Sequence, residues 1–143
     1  MTALAGCLVV HWLLARFLPS PWWVPNITLV GLMLTIAKHP ERWLVLAWVA
    51  GVFTTLWTVR ASGGILFSYF VIGGVIQIMA KRWDLDDVRI QPWLVGGLTL
   101  LFTFFLIWLE AIQAWPILGP ALCHALATCA VLPFVRRLVA AAS

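Results

Sequence analysis

Three ionisable residues lie within or at the ends of apolar runs: Arg16, Arg60 and Glu110. A charge in hydrocarbon is costly unless it is paired or wetted. Glu110 is therefore expected to pair with Arg16 or Arg60, as a structural ion pair in preference to a ligand-binding group. His11 and His124 sit near the middle of two other apolar runs, at comparable depth. Two imidazoles at one depth suit a proton relay or a metal pair. With no His-x-x-x-His spacing and no adjacent Glu, hydrogen bonding across a helix interface is the expected use. Cys7, Cys123 and Cys129 are odd in number and surrounded by apolar residues, where cysteine acts as a small packing side chain; no disulfide or metal is expected of them.

No other chemistry stands out. The sequence has no Walker loop, no Gly-x-Gly-x-x-Gly, no Gly-x-Ser-x-Gly and no His-Glu-x-x-His, so neither a catalytic residue nor a cofactor is expected. Small residues are better organised. Gly119, Cys123 and Ala127 recur every four residues, as do Ala121, Ala125 and Cys129, with shorter pairs at Ala47/Gly51 and Gly64/Ser68. Such faces let membrane helices approach closely, which predicts that the last helix is central in a bundle or meets a partner.

These residues need elements to carry them, and the composition says which. Of 143 residues 64% are apolar and 10% charged, with a mean hydropathy of +1.04, too little charge for a water-covered surface. In lipid every backbone polar group must be satisfied internally, and the runs are helix length. The expectation is one all-α integral membrane domain over residues 1–143: six transmembrane helices at 2–18, 24–37, 42–59, 64–80, 92–115 and 117–135, the second short for a full span. Prolines 19, 21, 25, 40, 92 and 116 punctuate the boundaries, at positions where a ring locking φ and removing an N–H is tolerated.

The net charge of +4 would suggest nucleic acid in a soluble protein; here the basic residues sit at helix ends and report topology. With the N-terminus inside, the cytoplasmic side receives Lys38, Arg42, Lys81, Arg82, Arg89, Arg136 and Arg137, leaving Arg16 and Arg60 outside. Both termini are thus expected in the cytoplasm. Lys81, Arg82, Asp84, Asp86 and Asp87, followed by Arg89, form a mixed-charge connection. It reads as a solvated turn with capping aspartates, or as a cytoplasmic docking loop. Most of the ten tryptophans lie near helix ends, where interfacial belts place them. Trp12, Trp48 and Trp108 are deeper, suited to packing or lipid contact, or to lining a pocket.

The order of features across residues 25–99 resembles the bacterial rod-shape-determining MreD family. Pro25-Asn26-Ile27-Thr28-Leu29 opens the second helix and Trp48-Val49-Ala50-Gly51-Val52 lies in the third. A Gly-containing reversal precedes Ile65-Leu66-Phe67-Ser68-Tyr69-Phe70-Val71-Ile72-Gly73-Gly74, and Ala80-Lys81-Arg82-Trp83-Asp84-Leu85-Asp86 is similar to the family's basic-then-acidic loop. The chain departs from the pattern at Thr54 and Thr55, where members often carry an Asp, and at Ala61-Ser62-Gly63, where Pro-Leu-Gly is usual. The resemblance implies a non-enzymatic subunit of the cell-wall elongation machinery in the inner membrane. Its partners would be MreC, with MreB, RodA and a class B penicillin-binding transpeptidase. The resemblance also implies a six-helix bundle similar to the substrate-binding subunits of energy-coupling-factor transporters. A vitamin-like binding subunit of a transporter is the competing expectation.

Overall fold

Apolar runs in lipid close their hydrogen bonds within themselves, and the computed structural model of this chain is accordingly helical. It describes residues 2–18, 24–57, 62–109 and 118–142. Among these there is no β-strand and there are six α-helices: α1 (Thr2–Phe17), α2 (Ile27–Lys38), α3 (Trp43–Trp57), α4 (Ser62–Arg82), α5 (Gln91–Leu109) and α6 (Leu118–Ala141). A 3-10 turn at Pro40–Arg42 leads into α3, with the proline at its first position. Residues in α4, α5 and α6 form helices long and apolar enough to cross a membrane. The 21 residues of α4 rise about 31 Å at ~1.5 Å each, matching a hydrocarbon core of ~30 Å. Six helices are thus present among the described residues, three of them long and apolar enough to span.

The shortest is the core. Every residue of α2 from Ile27 to Ile36 is buried, and α2 touches each of the other five helices. Its sequence, ITLVGLMLTIAK, carries no charge until its final Lys and is apolar but for two threonines, and a helix hydrophobic all round is one that is surrounded. Gly31 lets α1 close upon it: a Cβ there would stand 2.7 Å from Cys7 Sγ. The last helix was expected to be central or to meet a partner, and the surrounded place belongs to α2. α6 lies at the side of the bundle and buries a single stripe: Ala121, Ala125, Thr128, Leu132, Val135 and Val139. It also runs through Pro133 to Ala141, beyond its expected end.

The tightest crossing is between α3 and α4. A Cβ on Gly51 would lie 2.7 Å from Leu66 Cδ1 and 3.2 Å from Leu66 Cα, and one on Gly73 would lie 2.8 Å from Ala47 Cβ. Outward faces remain apolar, with Phe67, Leu101, Phe104, Leu122, Leu126 and Phe134 all exposed. Hydroxyl and small residues mark the inward faces instead. Ser68, Thr99, Thr103 and Thr128 are buried, and each donates to the carbonyl four residues back in its own helix, at 2.7 to 2.8 Å. A hydroxyl satisfied in this way crosses an apolar interior without an orphaned donor.

Candidate functional site

The N-terminus of a helix leaves backbone N–H groups without partners, and in α2 that end lies inside the bundle. Val24, Pro25 and Asn26 are all buried. Two side chains meet the demand. Asn26 Oδ1 accepts from the Leu29 N–H at 3.0 Å, an N-cap. Thr128 Oγ1, on α6, accepts from the Asn26 N–H at 3.0 Å while donating to the His124 carbonyl at 2.8 Å.

Other helices bring polar groups to the same point. The hydroxyl of Tyr69, on α4, faces the side chains of Thr54 on α3 and of Asn26, while Thr28 Oγ1 is buried without a hydrogen-bond partner among the described residues. The Tyr69 ring is 1% exposed and rests 5.0 Å, centroid to centroid, from Phe102 of α5. His11 of α1 lies against the Pro25 carbonyl and is an electrostatic neighbour of His124. Its Nδ1 is buried without a hydrogen-bond partner among the described residues. The two histidines expected at one depth are therefore brought together, around the capped end of α2. This polar node draws on five helices. It has hydrogen-bonding capacity, and no group of three metal-ligating side chains exists among the described residues.

Arg60 and Glu110 lie outside the described residues, and with them the expected ion pair. Arg16 ends α1 exposed, its guanidinium 5.8 Å from the centroid of the Trp12 ring, a cation–π distance. Trp48 and Trp108 project outward, Trp108 being 73% exposed. Their exposure suits the expected lipid contact. Trp108 also stacks on Phe105 at 6.0 Å, and Phe105 lies 5.9 Å from Phe67, making an aromatic ridge across α4 and α5.

On α6 the two small faces separate. Ala121 and Ala125 are buried, Gly119 and Cys123 are exposed, and Ala127 is half-buried. Cys129 Sγ donates to the Pro92 carbonyl of α5 at 3.3 Å.

In the mixed-charge connection Lys81 and Arg82 complete α4. The aspartates shape the turn: Asp84 Oδ1 accepts from the Asp86 N–H at 3.0 Å and Asp87 Oδ1 from the Arg89 N–H at 2.9 Å. Buried Gln91 donates from its side chain to the Leu85 carbonyl at 2.9 Å, tying the turn to the bundle. Lys81, Arg82, Asp84 and Asp86 remain exposed, and Asp87 is half-buried.

Asn26, Tyr69, Thr128 and Gln91 were not among the expected site residues. Tyr69 is the single tyrosine of the chain, and a lone phenol within an apolar run needs a partner when buried, which was the available signal.

No family model, curated protein or solved structure matches this chain.

Proposed function

We propose that this chain is a non-enzymatic membrane scaffold of the MreD kind, a six-span subunit of the bacterial cell-wall elongation complex that holds MreC beside the peptidoglycan-synthesis enzymes. One observation carries the reading: the segments that resemble MreD are those around which the bundle packs. Asn26 caps α2, Gly51 seats Leu66 and Gly73 seats Ala47, while Lys81 to Asp86 end α4 and begin its turn. A rigid apolar bundle with aromatic outer faces suits a part whose work is to hold neighbours.

The described basic residues are distributed in keeping with the inner-membrane orientation proposed, N-terminus and C-terminus in the cytoplasm. Thr2 meets Ala142, and the end of α2 shares one hollow with both and another with the turn after α4. Lys38, Arg42, Lys81, Arg82, Arg89, Arg136 and Arg137 thus gather towards one end, with Arg16 at the other. Cytoplasmic segments are the ones enriched in Lys and Arg.

A vitamin-like binding subunit on the same six-span plan is the second reading, favoured by the polar node and by the buried, unpartnered Nδ1 of His11. Affinity purification in mild detergent separates the two. Recovery of MreC with wall-synthesis enzymes is the expected result; a co-purifying vitamin-like molecule with none of these proteins would replace the scaffold reading by the second.

A further inference from the structure

The first turn of α1 and the last turn of α6 meet where Thr2 Oγ1 donates to the Ala142 carbonyl at 3.1 Å. On one side of that contact lies an open groove of about 600 Å³ between the two helices, walled by Ala5, Gly6, Val9, Val10, Leu138 and Ala141. These walls carry no charge and no side-chain donor. On the other side is a cup of about 180 Å³ formed by Thr2, Thr35, Lys38 and His39 with Ala3 and Val139. Thr2 and Ala142 belong to both hollows, so groove and cup adjoin.

The dimensions suit a lipid chain. From Thr2 to Val10 the groove follows α1 for about 12 Å at ~1.5 Å per residue, most of the ~15 Å that one leaflet contributes to a ~30 Å hydrocarbon core. Gly6 keeps the floor low: a Cβ there would touch Leu138 Cδ2 at 3.4 Å. The charge suits a particular headgroup. Lys38 lines the cup, and the end of the bundle around it holds seven Lys and Arg against Glu41, Asp84, Asp86 and Asp87. Basic hollows between membrane helices attract anionic headgroups. An incoming helix would fill the groove and ignore the cup, whereas a soluble anion would fill the cup and ignore the groove.

The geometry points to a bound anionic phospholipid, with one acyl chain along the α1–α6 groove and its phosphate in the cup at Lys38. The site does not rest on the scaffold reading. Loss of lipid binding would leave partner recovery unaffected, and failure to recover partners would leave the lipid site intact.

The test is native mass spectrometry of the full chain in mild detergent, titrated with phosphatidylglycerol or with phosphatidylcholine. One phosphatidylglycerol should be retained per chain, about fivefold better than phosphatidylcholine, the ratio that ~1 kcal/mol from one basic side chain supplies. Lys38→Gln should remove that preference and leave phosphatidylcholine retention unchanged. Gly6→Leu should lower retention of both lipids, and Val9→Trp, which blocks the groove from its exposed lip, should do the same without burdening the interior. Arg89→Gln, outside both hollows, should change nothing. Equal retention of the two lipids by the unaltered chain, or an Arg89→Gln loss matching that of Lys38→Gln, overturns the proposal. So does displacement of the lipid by inorganic phosphate, which would make the cup a site for the free anion alone.

Discussion

The Asn26 N–H donates to Thr128 Oγ1 across 3.0 Å and 102 residues of sequence, so that α6 supplies part of the cap of the helix at the core. The interior offers that N–H no water in exchange. Thr128→Val keeps the shape and removes the acceptor. It should cost about 1 kcal/mol, within the range measured for hydrogen bonds between membrane helices. For a chain of this size the detergent melting temperature should fall by about 2–4 °C. Thr128→Ser, which retains the oxygen, should melt close to the parent, and equal melting of the Val and Ser variants would show the bond to be dispensable.

Two glycines separate close approach from mere smallness. A Cβ on Gly73 would stand 2.8 Å from Ala47 Cβ, whereas one on Gly97 meets nothing within 4 Å. Ala47 has no flexible side chain to swing aside, so Gly73→Ala must push α3 from α4. It should destabilise by about 1–3 kcal/mol, as overpacking does. Gly97→Ala gains helix propensity of up to ~1 kcal/mol at no steric cost. Melting temperatures should therefore move in opposite directions, and a shared direction would contradict the crossing geometry.

Helix boundaries were legible in the sequence because proline and charge interrupt the apolar runs on a scale that hydropathy resolves. Pro40 opens the turn into α3, as expected, and α4 runs two residues past its expected end, through Lys81 and Arg82. The arrangement of the helices was not legible in the same way. Inward and outward faces are equally apolar in lipid, so Trp48 and Ala121 carry no hydropathy signal for opposite directions. The core helix advertised itself only through the absence of charge on every side before Lys38; shortness instead suggested an incomplete span. Small residues on α6 pointed to close packing without saying which of two faces would be used. The polar node escaped notice because its members come from five helices and have no common spacing.

The proposed topology, with both termini in the cytoplasm, rests on the rule that Lys and Arg collect on the cytoplasmic side. Single cysteines replacing Lys38 and Asp86, in a chain whose native cysteines are changed to alanine, should react with a membrane-impermeant maleimide only in inverted vesicles. Cysteine at Arg16 should react only in intact spheroplasts. Labelling of Asp86→Cys from the outer face would reverse the orientation, and labelling of Lys38→Cys and Asp86→Cys from opposite faces would break the shared end itself.

The native thiols report how the α6 faces are used. Cys7 is buried against Gly31, Cys129 is half-buried and donates to the Pro92 carbonyl, and Cys123 is exposed. Access, more than intrinsic reactivity, sets the order in which a lipid-soluble maleimide finds them, since packed thiols are inert. In mild detergent one thiol should react quickly, and peptide mass spectrometry should locate it at Cys123; after denaturation in dodecyl sulfate all three should react. Cys123→Ala should abolish the fast phase while leaving the melting temperature unchanged, because an exposed small residue contributes little packing. A fast phase that persists in Cys123→Ala would mean that α6 turns a different face outward, and would separate Thr128 from Asn26.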